Sequence, residues 1–162
     1  DQWRDLKFGV IFHWGLYAVP GIVESWALCS EDVDWISRYG HNNYQEFKDW
    51  YWNGLSKQFN PTEFEPAQWA EVTKQAGMKY MIFTTKHHDG FCMFDSQYTD
   101  FSISRCAFKE HPKADVAKYV FEAFRKEGFM TGAYFSKPDW HNQEIGTIMT
   151  IGGIISLHLI GM

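Results

Sequence analysis

Three short apolar runs in this chain each close on polar residues, and helix-patterned segments precede the second and third. The runs are LKFGVIFHWG (Leu6 to Gly15), YMIFTTKHHDG (Tyr80 to Gly90) and GFMTGAYFSKPDW (Gly128 to Trp140). Each is rich in β-branched or aromatic residues and ends near glycine or proline, which predicts a strand. PAQWAEVTKQAG starts with Pro66 and stops at Gly77, the pattern of a helix. Its Trp69, Val72, Thr73 and Ala76 fall at i, i+3, i+4, i+7 and predict one buried face. KADVAKYVFEAFRKEG repeats the pattern through Val116, Val120 and Phe124 and stops at Gly128. Strand, helix, strand, helix, strand is the order of a parallel sheet with crossover helices, so the expected class is α/β.

The polar strand ends matter because the C-terminal ends of neighbouring parallel strands converge on one face, about 5 Å apart. They carry His13, then His87 and His88 followed by Asp89, then Tyr134 with Asp139 and Trp140 beyond. His13, one of the paired histidines and Tyr134 are therefore expected to meet around one small molecule. Successive strand residues point to opposite faces, so His87 and His88 should differ in role unless the strand bends at its end. The stretch Gly15 to Glu65 is too long for a plain βα loop. It holds a short helix pattern, NYQEFKDWYW, and long insertions at such strand ends build pockets.

Composition narrows the ligand. Aromatic residues make up 19% of the 162-residue chain, more than a core of this size needs, and Trp and Tyr cover the flat faces of partly apolar ligands such as sugars. Imidazole, indole N–H and phenol groups can grip adjacent hydroxyls by directional bonds. The net charge is −5 with no basic run, which argues against nucleic acid. Cys29, Cys92 and Cys106 lack zinc-ligand spacing and read as free thiols, or at most one disulfide. Metal-binding barrel hydrolases show His-x-His on the first strand; here it is His13-Trp14-Gly15, so no metal or other cofactor is expected. His41, His111, His141 and His158 are expected to be structural.

The tail differs from the rest. All Phe, Tyr and Trp lie before Gln143, and Ile145 to Met162 carries neither aromatic nor charge. Its glycines, threonines, Ser156 and His158 make a poor membrane span, so no membrane partner is expected. One choice of codons for Tyr-Trp-Asn-Tyr-Tyr-Asp-Tyr-Trp-Trp, read one base late, gives the string found from Ile145 to Gly153, so a frame slip is one expectation for the tail. Two regions result: 1–143, and an atypical apolar tail at 144–162. The start at Asp1 rather than Met reads as an N-terminus already removed, and a cleaved signal peptide stays open.

FGVIFHWGLYAVPG, ESWALCSEDVDW, TTKHHDGF, YTDF and GAYFSKPDW, in this order, resemble the N-terminal part of α-L-fucosidases of glycoside hydrolase family 29, over about residues 3 to 143. The resemblance implies about the first three strands of a (β/α)8 TIM-like barrel, the rest being absent from this chain. It implies retaining exo-hydrolysis of terminal α-L-fucose by double displacement. Fucosylated oligosaccharides or glycoprotein glycans would be the partners, a homo-oligomer of the intact enzyme stays open, and the location would be secreted, periplasmic or lysosomal. His13 and His88 would bind fucose hydroxyls, with His87 beside them. Tyr134 would lie near the attacking carboxylate, and Glu24 with Trp26 would contact the sugar, although Ser25 separates that pair here. The nucleophile and the acid/base have no matching position, so this chain alone is expected to be inactive. Asp89 is expected to orient a histidine or loop backbone, and Asp95 and Asp100 to organise a turn. The alternatives are a metal-dependent barrel hydrolase and a non-catalytic sugar-binding remnant.

Overall fold

The computed structural model describes residues 2–29, 36–41, 43–142 and 157–158. After a short helix α1 (Gln2–Leu6), strand β1 (Gly9–Phe12) enters the core. The long connection then forms two 3₁₀ turns, Leu16–Ala18 and Trp26–Leu28, before a rod of α2 (Tyr44–Asp49), a π-wound segment (Trp50–Leu55) and α3 (Ser56–Gln58). Asn43 caps α2, its side-chain oxygen accepting from the Gln45 and Glu46 amides. Helix α4 (Pro66–Gln75) leads to β2 (Tyr80–Lys86), and α5 (Val116–Lys126) leads to β3 (Met130–Phe135). The two stop glycines, Gly77 and Gly128, take φ of +81° and +85°, as helix-ending glycines do.

The three strands are parallel in the order β1, β2, β3. Val10 pairs in register with Met81 and Thr131, and Phe12 with Phe83 and Ala133. Phe12 reaches the helices, its ring 5.5 Å from Trp69 and 5.7 Å from Phe124. Met81, Phe83, Ala70, Val116, Val120 and Phe124 are buried in the same cluster. The opposite face is less covered: Ile11, one residue before Phe12, is 46% exposed. A two-residue strand β4 (Leu157–His158) pairs antiparallel with Ala133 and Tyr134. The other tail residues, with the frame-slip expectation, lie outside the described residues. Among the described residues no helix is long and apolar enough to cross a membrane.

Three details correct the sequence reading. Strand β1 is only Gly9–Phe12, so His13 lies just beyond it. The expected α4 face of Trp69, Val72, Thr73 and Ala76 is buried only in part: Thr73 is buried with Pro66 and Ala70, and Trp69 packs partly buried against the core, while Val72 is 65% exposed and Ala76 is exposed. Helix α4 has apolar groups on two sides, one against the sheet and one facing a groove beside β1, and the periodicity merged them. The long connection is also more than pocket wall. Leu16, Leu28, Phe47, Tyr51 and Leu55 from it are buried in the main core. The three cysteines are free thiols.

Candidate active site

The strand ends do converge. β2 finishes at Lys86, and a register shift between Thr84 and Lys86 breaks its pairing with β3. Such an irregularity re-aims side chains, and here both following histidines reach the same place. Their rings lie 4.2 Å apart. The His13 ring is 5.8 Å from His87 and 5.4 Å from Tyr134, and the Tyr134 ring is 6.0 Å from His87. The turn after the first 3₁₀ segment delivers Glu24 and Trp26 to the same cluster. Glu24 Oε2 accepts from Trp26 Nε1 at 3.0 Å and lies 3.1 Å from His87 Nε2, while its Oε1 is 3.4 Å from His13 Nδ1. Trp26 and Trp140 each hold a ring face or edge 4.9 Å from the His88 ring. All six residues singled out in the sequence, His13, Glu24, Trp26, His87, His88 and Tyr134, therefore share one cluster.

Glu24 sits at φ +46°, a region that non-glycine residues enter at a cost of order 1–3 kcal/mol. The hydrogen bond from Trp26 and the contacts with two histidines hold it there. Burial, helped by His88, His13 and Lys86, pushes the His87 pKa down to about 3. Burial, with Lys86 and His13, pushes His88 down to about 4. Both imidazoles are thus neutral near pH 7, able to donate at one nitrogen and accept at the other. The Tyr134 phenol is pushed up by burial and then by Glu24, and stays protonated.

Sequence reading missed the groups that hold these rings. Ser25 Oγ lies 2.5 Å from His87 Nδ1, Ser136 Oγ contacts His88 Nδ1, and Thr84 Oγ1 is 3.0 Å from His13 Nδ1. The available signal was a hydroxyl residue at or beside each recognised polar end. Tyr17 is also present, its ring 5.9 Å from His87 and its buried hydroxyl without a hydrogen-bond partner among the described residues.

The other polar residues have structural work. Asp89 accepts from Tyr51 Oη at 2.7 Å and from the Phe91 amide, so it orients a helix residue and the loop backbone. Its burial raises its pKa to about 6. Asp95 accepts from Ser104, and the Asp100 carbonyl accepts from the Ser102 amide, both within the loop after β2. Lys86, buried, is 3.3 Å from Asp139 and donates to the Pro138 carbonyl. Gly90 lets Asp139 approach: a Cβ there would lie 2.5 Å from its Oδ1. His111 stacks on Phe108, His141 on Phe101, and His41 packs against Trp50. The ligand atoms of His13, Glu24 and His87 lie within 4.8 Å of one another, close enough to be considered for a metal ion.

The family profile described as Alpha-L-fucosidase matches residues 1–150. The chain belongs to the α-L-fucosidase family. Human plasma alpha-L-fucosidase is 32% identical over 144 residues, which are 85% of this chain and 30% of that protein. Alpha-L-fucosidase 1 of Arabidopsis thaliana is 33% identical over 125 residues, 72% of this chain and 24% of the relative. Among solved structures, a family 29 α-L-fucosidase from Bacteroides thetaiotaomicron superposes with a TM-score of 0.68 at 33% identity, covering 88% of this chain and 30% of that one. Alpha-L-fucosidase isoenzyme 1 from Paenibacillus thiaminolyticus gives 0.65 at 38% identity, covering 87% and 29%. The chain spans less than a third of the length of these fucosidases and corresponds to an N-terminal region of the family.

Proposed function

We propose that this chain forms the sugar-holding wall of a retaining exo-α-L-fucosidase, as part of a (β/α)8 barrel completed by residues beyond it. The observation that carries the reading is the gathering of His13, Glu24, Trp26, His88 and Tyr134 around the β1, β2 and β3 ends. Imidazole, carboxyl and phenol groups are suited to adjacent hydroxyls, and indole rings to the apolar side of a deoxy-sugar. Family membership supports fucose as that sugar. A terminal fucose on an oligosaccharide or glycoprotein glycan is the proposed substrate. A plasma relative supports a secreted or lysosomal setting.

Double displacement needs two carboxyl groups about 5–5.5 Å apart, one attacking and one serving as acid then base. We assign neither to this chain: the carboxylates of Asp89, Asp95 and Asp139 are engaged by structural donors. The 162-residue chain should therefore show no turnover of an aryl α-L-fucoside, whereas the enzyme carrying the whole barrel should turn over. In that enzyme, His13→Ala or His88→Ala should lower kcat/KM by about two- to tenfold, the loss of a neutral hydrogen bond. Unchanged kcat/KM in both variants, or turnover by the chain alone, would defeat the reading.

The His13, Glu24 and His87 cluster favours one second reading, a metal-dependent barrel hydrolase. Stoichiometric zinc in plasma emission analysis of the purified protein, lost with Glu24→Gln, would support it. Absence of metal would remove it.

A further inference from the structure

Resting on the fucosidase reading only for the identity of the ligand, we propose that Ser25 and Ser136 lock the neighbouring histidines His87 and His88 in opposite tautomers. The pair then offers one fixed donor and one fixed acceptor. Both serines are positioning residues: Ser25 is fully buried and Ser136 nearly so, which leaves neither hydroxyl open to attack a substrate.

A carboxylate only accepts, and Glu24 Oε2 lies 3.1 Å from His87 Nε2, so that nitrogen carries the hydrogen. A neutral imidazole has a single N–H, which leaves a lone pair on His87 Nδ1. Ser25 Oγ, 2.5 Å away, donates to it. Ser25 is held in place by its backbone, its carbonyl accepting from the Leu28 amide at 2.9 Å in the 3₁₀ turn.

At His88 the polarity reverses. Ser136 Oγ donates to the Pro138 carbonyl at 3.3 Å, and a carbonyl cannot donate in return. The serine oxygen therefore has only lone pairs to offer His88, and His88 Nδ1 must carry the hydrogen. Ser136 is fixed at the end of β2 by its amide, which donates to the Lys86 carbonyl at 3.0 Å. The His88 Nε2 lone pair has no hydrogen-bond partner among the described residues. It lies in a half-buried ring between Trp26 and Trp140.

The consequence is a rule about the ligand. A sugar hydroxyl facing His88 must donate, whereas the His87 N–H is already taken by the Glu24 carboxylate. A ring position in which fluorine replaces that donating hydroxyl would keep its size and lose the bond.

The test reads tautomers directly. Histidine side chains of the intact protein carrying this chain are labelled with nitrogen-15, and long-range proton–nitrogen spectra are recorded at neutral pH. The expected result is an Nε2–H form for His87 and an Nδ1–H form for His88. The same tautomer at both would overturn the proposal, and this needs no variant. In Ser136→Ala, His88 should shift to a mixture of forms and kcat/KM for an aryl fucoside should fall about twofold, less than for His88→Ala. An unchanged His88 tautomer in that variant would also overturn it. Opposite tautomers in a protein without fucosidase activity would uphold this inference and sink the functional reading instead.

Discussion

The end of β2 and the flank of β1 are built from the same kinds of residues, yet one is closed and the other open. Six of the seven β2 residues are buried, and the strand has a partner on each side. Beyond it, His87, Asp89 and Ser136 are all buried with named hydrogen-bond partners. At the β1 flank, Phe8 is 50% exposed, and Phe12, Trp14, Trp69 and Val72 line a groove of about 500 Å³. On the closed side the polar groups named here are satisfied, the Tyr17 hydroxyl excepted, whereas on the flank apolar groups are left in water. Charged and hydroxyl groups at the strand ends find partners within this chain, whereas the apolar flank has the character of a surface awaiting more protein. That fits a segment spanning under a third of its relatives' length.

The sharpest way to break the comparison is to damage each side equally. Phe83 is fully buried in β2 and its ring packs 6.4 Å from Phe121. Phe83→Ala should cost about 3–5 kcal/mol, the usual range for a buried Phe deleted to Ala. Urea unfolding of the intact protein reads this. A loss under about 1 kcal/mol would mean that the β2 core is loosely packed and the contrast unfounded.

Acid probes the closed side next. His87 and His88 titrate near 3 and 4 in the fold, below the 6.5 of a free imidazole. The unfolded chain binds protons that the folded one refuses, so their contribution is complete above pH 6.5 and lost as pH falls towards those values. Asp89 runs the other way. Its pKa of about 6, up from 3.8, means that the fold keeps a proton there which the unfolded chain gives up as pH rises through that range. Two histidines oppose one aspartate, so net stability should fall on acidification below pH 6.5. One uncompensated proton is worth on the order of 1.4 kcal/mol per pH unit. Asp89→Asn should steepen the acid loss, and His87→Gln should flatten it. A melting temperature that does not change between pH 4 and 7 in the parent protein would contradict the burial described here.

The same contrast explains what could be read from the residues. The strands were legible because each apolar run is short and closed by glycine or proline, and α5 was legible because Val116, Val120 and Phe124 are all buried on one helix face. Helix α4 misled because its apolar residues serve two surfaces. The histidines, Tyr134, Glu24 and Trp26 were legible as a group from strand-end position and family resemblance. Ser25, Thr84 and Ser136 were not, since a serine or threonine carries no pattern of its own. Ser25 finds His87 only through a fold that brings together positions 62 residues apart in sequence.

Val72 gives the finest test, because its environment should differ between two forms of one protein. In this chain it is 65% exposed at the groove beside β1. Val72→Thr keeps the shape and nearly the same helix propensity while adding a hydroxyl. In the chain alone the hydroxyl meets water, and the change should stay within about 0.5 kcal/mol. In the enzyme with the whole barrel, further protein should cover the groove, and burying an unpaired hydroxyl should cost about 1–3 kcal/mol. Equal effects in the two forms, measured by urea unfolding, would show that nothing covers this flank. The open side would then be an ordinary surface, and the case for a barrel completed beyond β1 would lose its structural support.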